Sequence, residues 1–341
     1  MSSTGTRVLL VLAALVIVIA GLKAASALIV PLLMALFIAI ITLPFMLWLT
    51  GKGAPKWAAL GLILLVLASV ILTVGSLISS SVDQFSALLP TYENKLRTTI
   101  TLLSDWAARH QLTGFTGTEF TIVDPKAAAR IIGGLVGSVG RIVGDSLLIF
   151  FTVMFLLVEA STIPNKIRAI LSDPDTTLER LSEFLNAVKQ YLVIKSLTSL
   201  ITGVVVTAWL FFLGVDFAVL WGSIAFFMNF VPFVGSIIAA VPVVFLAFLD
   251  AGVQDALLVA AGFLAINLVV GNLIEPRFMG RGLGLSTLVV FLSLLFWGWV
   301  FGPVGMFLSV PLTMLVKIAL ESDPRSRWIA ILLSSGTLPR Q

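Results

Sequence analysis

Long stretches of apolar side chains, almost free of charge, constrain the fold of this chain more than any other feature of its sequence. A membrane-spanning α-helix needs about 20 apolar residues, because the hydrocarbon core is about 30 Å thick and each helical residue rises about 1.5 Å. Inside lipid every backbone N–H and C=O group must be satisfied internally, which a helix achieves by itself. The stretches that reach or approach this length are 8–22, 25–49, 57–78, 144–160, 192–213 and 256–274. They predict an all-α, polytopic transmembrane protein.

Two further apolar regions, 217–249 and 286–320, are too long for one helix and are interrupted near their middle. Proline removes a backbone donor and glycine weakens a helix, so the interruptions predict breaks. We therefore expect two Gly/Pro-broken helical hairpins, each re-entrant or crossing twice, and about eight membrane segments in all. Two ordinary helix pairs joined by tight turns are the alternative. The interrupting residues are Pro232, Gly235, Gly302, Pro303 and Gly305.

The charges of the chain are concentrated in two segments. Charged residues make up 11% of the sequence, whereas about 25% is usual in soluble domains. Half of them lie in 79–143 and 161–190, which we expect to be polar inserts. The predicted divisions are an N-terminal three-helix membrane region (1–78), an external amphipathic helical insert (79–143), a fourth span (144–160), a cytoplasmic helical connector (161–190), a C-terminal membrane core containing the broken hairpins (191–320) and a cytoplasmic tail (321–341).

Lysine and arginine residues predict which side of the membrane each loop occupies, because short loops rich in them remain in the cytoplasm. The basic residues of alternate connections agree on one side; they are Arg7, Lys52, Lys56, Arg277, Arg281, Lys317, Arg325, Arg327 and Arg340. Both termini and the 161–190 insert are thus predicted to be cytoplasmic, and the 79–143 insert external. The first hairpin must begin and end outside and the second inside. Opposed broken segments are typical of transport sites near the membrane midplane.

The two inserts show helical periodicity. Apolar residues at three- and four-residue steps predict an amphipathic helix over 85–107, and a second apolar stripe with closely spaced glycines follows Asp124. We expect these helices to lie on the membrane surface or to pack against another subunit; an interfacial helix without a partner is the alternative. The other insert predicts a helix from about Thr176 into the fifth span, either a simple connector or an element that transmits motion.

Composition excludes several classes of protein. The absence of cysteine excludes a disulfide scaffold, an iron–sulfur protein, a cysteine-ligated zinc site and a thiol nucleophile. The single histidine, His110, cannot build a metal site or a Ser-His-Asp triad. No GxxxxGK[ST] motif is present, so the chain does not use ATP by itself. The small basic excess is explained by cytoplasmic loops and requires no nucleic-acid partner. We expect no enzyme activity, cofactor or metal.

Polar side chains inside apolar spans mark transport pathways, because a charge at the centre of a membrane helix costs about 2.5–3.5 kcal/mol on insertion scales. Three amides can hydrogen-bond a solute or only another helix: Asn229, Asn267 and Asn272. Three carboxylates are candidates for proton or cation coupling: Glu275, Asp145 and Glu159. Their alternative roles are an ion pair of Glu275 with Arg277 and interfacial positions for the other two. Lys195 is expected to extend its ammonium group to the nearby interface.

The C-terminal half carries motifs similar to those of a known family. They are Tyr191 with Lys195, NFVPFVG at 229–235, NLIEPRFMG at 272–280, LGLS at 283–286, FGPVG at 301–305 and VPL at 310–312. Over roughly 190–320 the chain resembles the PerM permease or autoinducer-2 exporter (AI-2E) family, and its N-terminal half resembles that family in layout. The resemblance implies a secondary transporter of the bacterial inner membrane that assembles as a homo-oligomer, with a pentamer as the expected form.

Three functions are compatible with the sequence. The first is a permease that exports a small polar solute such as autoinducer-2. The second, also implied by the family resemblance, is a sodium(lithium)/proton antiporter, and the third is an oligomeric membrane scaffold. The lipid bilayer is the expected surrounding in all three. The candidate pathway residues are Asn229, Pro232, Gly235, Asn267, Asn272, Glu275, Pro276, Arg277, Gly302, Pro303 and Gly305.

Overall fold

The computed structural model describes residues 4–109, 145–160, 162–170, 174–279, 284–321 and 326–335. Every regular element in these ranges is helical, which confirms the predicted all-α class. The elements are α1 (Thr4–Ala24), α2 (Ser26–Gly51), α3 (Lys56–Arg109), α4 (Ser146–Ala160), α5 (Ile163–Ile170), α6 (Pro174–Phe212), α7 (Ala218–Asn229), α8 (Gly235–Ala251), α9 (Val253–Asn267), a π-helix (Leu268–Ile274), α10 (Glu275–Met279), α11 (Thr287–Phe307), α12 (Ser309–Glu321) and α13 (Arg327–Leu333).

Five helical segments of the described chain are long and apolar enough to cross a membrane; they are Ser26–Gly51, Lys56–Leu77, Leu181–Phe212, Val253–Phe278 and Thr287–Phe307. Helices α4 and α5 meet at a bend of 58° and count as a sixth if they form one span. About eight segments were predicted, and the difference arises because the apolar parts of α1, α7 and α8 are short; they are Leu9–Ala24, Ala218–Asn229 and Gly235–Ala251, each of 10–17 residues. Large apolar side chains remain exposed, such as Phe211 and Phe212 at 80% each. The chain is an integral membrane protein.

Two helices extend well beyond a membrane span. Helix α3 has 54 residues, so the helix predicted over 85–107 continues directly from the third span. Helix α6 has 39 residues and confirms that the predicted connector helix continues into the fifth span, although it begins at Pro174 rather than near Thr176. The second amphipathic stripe of the external insert, after Asp124, lies outside the described residues.

The described chain packs as two compact units. The first contains the described parts of 1–69, 145–195 and 279–341. One of its clusters joins α2 and α6 to α11 and α12 through buried residues that include Phe37, Tyr191, Phe301 and Leu308. The other joins α2, α3 and α4; its residues include Ala35, Ala59, Val153 and Leu157. Small residues at such contacts allow membrane helices to approach closely.

The second unit contains the described parts of 70–144 and 196–278. Its core lies between α6, α7, α8 and α9 and contains the fully buried side chains of Val206, Leu210, Trp221, Val243 and Val259. Two glycines bring α6 and α7 together, because a Cβ atom on Gly203 would lie 2.9 Å from the carbonyl oxygen of Gly222. The indole Nε1 of Trp209 donates to the carbonyl of Leu258, 3.3 Å away, above Gly262.

An ion pair in this second unit joins the extension of α3 to the end of α8. The ammonium group of Lys95, on the polar extension of α3, contacts a carboxylate oxygen of Asp250 at the end of α8. The charge pattern predicts that both residues lie outside the cell. Their contact requires the two segments to lie on one side, as the prediction does.

Candidate functional site

The chain reverses direction at the first predicted break and forms hairpin A, which consists of α7 and α8. A Cβ atom on Gly235 would lie 1.8 Å from the carbonyl oxygen of Met228, seven residues earlier. In a continuous helix these residues would be about 10 Å apart along the axis. Between them Phe230 and Val231 are buried, and Pro232 is half-buried. Phe233 adopts a left-handed φ of 63° that turns the chain back.

The second predicted break also reverses the chain and forms hairpin B, which consists of α11 and α12. The backbone leaves helical geometry at Gly302, with φ 67° and ψ −150°. A Cβ atom on Gly305 would lie 1.9 Å from the carbonyl oxygen of Trp297. Farther along the arms, the indole Nε1 of Trp297 donates to Oγ1 of Thr313 at 2.9 Å. Pro303 begins the returning arm, where its missing N–H removes no helical hydrogen bond.

In both hairpins a glycine thus packs against a backbone carbonyl of the preceding arm. Their first arms are short: α7 rises about 18 Å, and the part of α11 before Gly302 about 22 Å, against a hydrocarbon core of about 30 Å. In hairpin B, Trp299 near the turn lies under the ammonium group of Lys23, 3.8 Å from the ring centre. Its turn therefore lies level with the end of α1.

The turn of hairpin A is fastened to α6 by a hydrogen bond between side chains. Nδ2 of Asn229, a predicted pathway residue, donates to Oγ of Ser199 at 3.0 Å. Ser199 is fully buried and belongs to a part of α6 that sequence reasoning did not select. Its position on a buried helix face could have been found from its spacing to Val206 and Leu192. Ser199 lies about 20 Å along α6 from Phe212, the last residue of that helix, so the turn of hairpin A contacts α6 at this depth.

A cavity of about 550 Å³ opens between α8 and α9. Its walls are formed by apolar side chains, including Phe245, Phe248 and Phe263, and its two polar lining residues are Ser236 and Asn267. Asn267 was predicted and Ser236, directly after Gly235, was not. The cavity therefore combines an apolar body with a hydroxyl and an amide, which is the usual composition of a small-molecule site.

The segment that leads into the NLIEPRFMG motif forms an irregular helix. Residues Leu268–Ile274 are a π-helix, a rare conformation that occurs often at functional sites. It begins directly after Asn267, so the amide that lines the cavity stands at the change of helix type. Asn272 is exposed and does not line the cavity. Glu275, half-buried, begins α10, and it is followed by the exposed Pro276 and Arg277.

The other two candidate coupling carboxylates lie at opposite ends of α4. Asp145 is exposed immediately before the helix, and its backbone oxygen accepts from the N–H of Ile149 at 3.0 Å. Glu159 is exposed at the other end and forms an ion pair with Lys166 across the bend to α5. Neither carboxylate lines the cavity between α8 and α9.

Comparison with known proteins agrees with this architecture. The profile of the AI-2E family transporter matches residues 12–324. The AI-2 transport protein TqsA of Escherichia coli (strain K12) is 38% identical over 330 residues, covering 97% of this chain and 96% of the relative. A putative transport protein of Haemophilus influenzae (strain ATCC 51907 / DSM 11121 / KW20 / Rd) is 41% identical over 334 residues, 96% of each chain. The putative transport protein YhhT of Escherichia coli (strain K12) is 38% identical over 333 residues, 98% of this chain and 95% of the relative. This chain therefore belongs to the AI-2E family of transporters.

Proposed function

We propose that the protein is a secondary exporter of the bacterial inner membrane that moves a small polar solute such as autoinducer-2 without hydrolysing ATP. Its family supports transport, and the name of the relative TqsA supplies autoinducer-2 as the first substrate to test. The basic residues of the short loops support cytoplasmic termini.

The observation that carries this proposal is the cavity between α8 and α9, next to the turn of hairpin A. Ser236 and Asn267 offer hydrogen-bonding groups, and none of the described residues that line the cavity carries a carboxylate. A small solute with hydroxyl or carbonyl groups can bind there through hydrogen bonds while its carbon skeleton contacts the aromatic walls. A sodium ion prefers several oxygen ligands, whereas the described walls are apolar apart from these two side chains. The short broken arms support a site within the membrane, since irregular backbone is tolerated there only around protein or water.

Flux through purified protein in proteoliposomes tests the proposal. Liposomes loaded with autoinducer-2 are expected to release it faster with protein than without. Replacing the cavity amide by Asn267→Leu should lower the rate, whereas Asn272→Leu, which changes the same residue type on an exposed face five positions later, should leave it near the wild-type value. Equal rates for the two variants would remove the cavity from the pathway, and no release above empty liposomes would reject export of this solute.

Sodium(lithium)/proton antiport is the alternative activity, and it is separated from solute export in the same vesicles. A pH-sensitive dye inside the liposomes reports proton movement when sodium or lithium is added outside. Glu275 is the half-buried candidate for coupling, while Asp145 and Glu159 are exposed. A dye response that is present in the wild type and lost in Glu275→Gln would establish antiport. If the wild type gives no response, solute export remains the proposed activity.

We further propose that the protein works as a homo-oligomer, with a pentamer as the form that its family resemblance implies. The many exposed apolar side chains provide surface for contact with lipid and with other copies. Native mass spectrometry from detergent measures the number of copies directly, and a purely monomeric spectrum would contradict the proposal.

A further inference from the structure

Helix α5 is amphipathic, and its apolar side is not buried. Isoleucines at four- and three-residue steps share one face of this eight-residue helix; they are Ile163, Ile167 and Ile170. The first and the last are 39% and 80% exposed, and no residue of α5 is buried. Two exposed basic residues, Lys166 and Arg168, lie outside this isoleucine stripe. A helix with an apolar face and a basic polar face is typical of the boundary between water and lipid.

The bend before α5 directs this helix away from the path of α4. Helix α4 is uncharged from Ser146 to Val158 and packs with α2 and α3 in one apolar cluster. Helix α5 departs from the axis of α4 by 58°. Across the bend, Lys166 contacts the carboxylate of Glu159, which ties α5 to the last turn of α4. The isoleucine stripe is therefore held beside the end of an apolar membrane helix, where lipid headgroups meet acyl chains.

The turn between α2 and α3 carries further basic and aromatic side chains. Helices α2 and α4 run in the same direction in the predicted topology, so the end of α2 and the bend after α4 belong to one membrane face. Lys52 and Lys56 are exposed at this turn. The ammonium group of Lys52 lies 3.9 Å from the ring centre of Trp48, which is 57% exposed, and Trp57 is 77% exposed. Exposed tryptophans are typical of the headgroup level of a bilayer.

We propose that α5 and the α2–α3 turn form a docking surface for anionic phospholipids in the leaflet on the predicted cytoplasmic side. Its four cations, Lys52, Lys56, Lys166 and Arg168, are all exposed. Glu159 is the single acidic residue in 48–57 and 159–170, so these segments carry an excess of three positive charges. The cations attract anionic headgroups while the isoleucine stripe contacts the upper acyl chains. A zwitterionic lipid has no net charge and binds this surface more weakly.

Single introduced cysteines test whether α5 contacts lipid, because the native chain has no cysteine. Ile170→Cys lies on the stripe, and Asn165→Cys, also at an exposed position, lies about 140° around the helix. Each full-length variant is labelled with the fluorophore NBD in vesicles of phosphatidylglycerol and phosphatidylcholine. We expect spin-labelled lipid to quench the label at 170 more strongly than at 165, and aqueous iodide to show the opposite order. Equal or reversed orders would contradict lipid contact. Protection of 170 from both quenchers would indicate a protein partner or a second copy and overturn the proposal.

The preference for anionic lipid is measured on the purified full-length protein in detergent. A bound lipid stabilises the folded state, so the melting temperature is followed against added phosphatidylglycerol or phosphatidylcholine with identical acyl chains. The wild type should reach half of its stabilisation at a lower concentration of phosphatidylglycerol. Each basic residue near an anionic surface contributes roughly fivefold to binding. The double variant Lys56→Gln with Arg168→Gln should therefore lower the preference roughly tenfold or more.

Charge-matched variants separate this surface from the general charge of the protein. Lys56→Arg with Arg168→Lys keeps both charges and should keep the preference. Lys189, hydrogen-bonded to Asn186 on α6, provides the control, and Lys189→Gln should behave as the wild type. Equal stabilisation of the wild type by the two lipids, or an unchanged preference in the Lys56→Gln, Arg168→Gln variant, would overturn the proposal.

Discussion

At the scale of single residues, one glycine in each hairpin allows the two arms to pack together, because it has no Cβ atom. Gly235 and Gly305 lie against the carbonyl oxygens of Met228 and Trp297, where a Cβ atom would be 1.8 and 1.9 Å away. Backbone atoms cannot move aside as a flexible side chain can. The arms would have to separate to accommodate any other residue, so these two positions require glycine for packing, independently of backbone conformation.

Gly235→Ala and Gly305→Ala are therefore expected to destabilise the protein by about 3 kcal/mol, the upper part of the range for overpacking. Gly61→Ala is the matched control, because no atom lies within 4 Å of the place that its methyl group would occupy on α3. That variant should be neutral or more stable by about 0.5–1 kcal/mol, since alanine favours a helix. Thermal unfolding in detergent provides the comparison. Similar melting temperatures for all three variants would contradict the packing role.

The hydrogen bond between Asn229 and Ser199 is a second feature that belongs to the residue scale. In a double-mutant cycle with Asn229→Ala and Ser199→Ala, we expect a coupling free energy of about 0.6 kcal/mol, the average for hydrogen bonds between membrane helices. The value follows from unfolding midpoints of the two single variants and the double variant. A cycle of Asn272→Ala with Ser199→Ala is the control and should show no coupling, because Asn272 is exposed.

The sequence was sufficient to select these residues. It was not sufficient to identify the groups that they contact. The Pro and Gly residues at 232–235 and 302–305 were predicted from their effect on helix stability, and the breaks lie there. The carbonyl against which each glycine packs becomes known only once the chain is known to reverse. Lys195 shows the opposite case: proximity to a span end predicted exposure, and the helix face on which it lies buries it.

At the scale of elements, the π-helix Leu268–Ile274 distinguishes the sixth span from an ordinary helix. A π-helix can be regarded as an α-helix that contains one additional residue, with the flanking turns kept in register. Its composition, LVVGNLI, gave no signal for this conformation. The same limit applied to α3: periodicity predicted a helix over 85–107 but not that this helix is continuous with the third span. For α6 the continuity of connector and span was predicted.

Deletion of one residue tests this description of the π-helix. Deleting Leu268 should convert the segment to an α-helix and preserve the orientation of its flanks, with a melting temperature close to that of the wild type. Deleting Leu264 from α9 should be strongly destabilising, because the core residues Val259 and Phe263 would turn by about 100° relative to the residues that follow. Both leucines are exposed, at 48% and 61%, so loss of their own contacts is comparable. Equal stability of the deletions would contradict the register argument.

At the scale of the whole molecule, each compact unit is assembled from stretches that are distant in sequence. Hydropathy arranges segments only in chain order, so it could predict the number and approximate position of apolar helices without predicting which of them pack together. The ion pair between Lys95 and Asp250 is an example, since 155 positions separate its members. Topology is nevertheless predicted well enough to be tested, because positive charge biases short loops toward the cytoplasm.

The absence of native cysteine allows that topology to be measured with single introduced thiols. In intact cells, a membrane-impermeant maleimide is expected to label Lys95→Cys and Asp250→Cys, which occupy predicted external segments. Lys52→Cys and Lys166→Cys, in predicted cytoplasmic segments, should react only after the cells are opened. Each of these four side chains is at least partly exposed, so accessibility within the protein is matched. Labelling of all four in intact cells would contradict the assigned orientation.

The two phenylalanines with left-handed backbone in hairpin A set its turn apart from that of hairpin B. Phe217 and Phe233 flank α7 with φ angles of 60° and 63°, a conformation that costs roughly 1–2 kcal/mol for a residue with a side chain. Hairpin B places glycine at its corresponding bend, where no such cost arises. Helix α7 thus has one strained residue immediately before it and another in the turn that follows it. Of the two hairpins, A is therefore the one that holds residues with side chains in a strained backbone conformation.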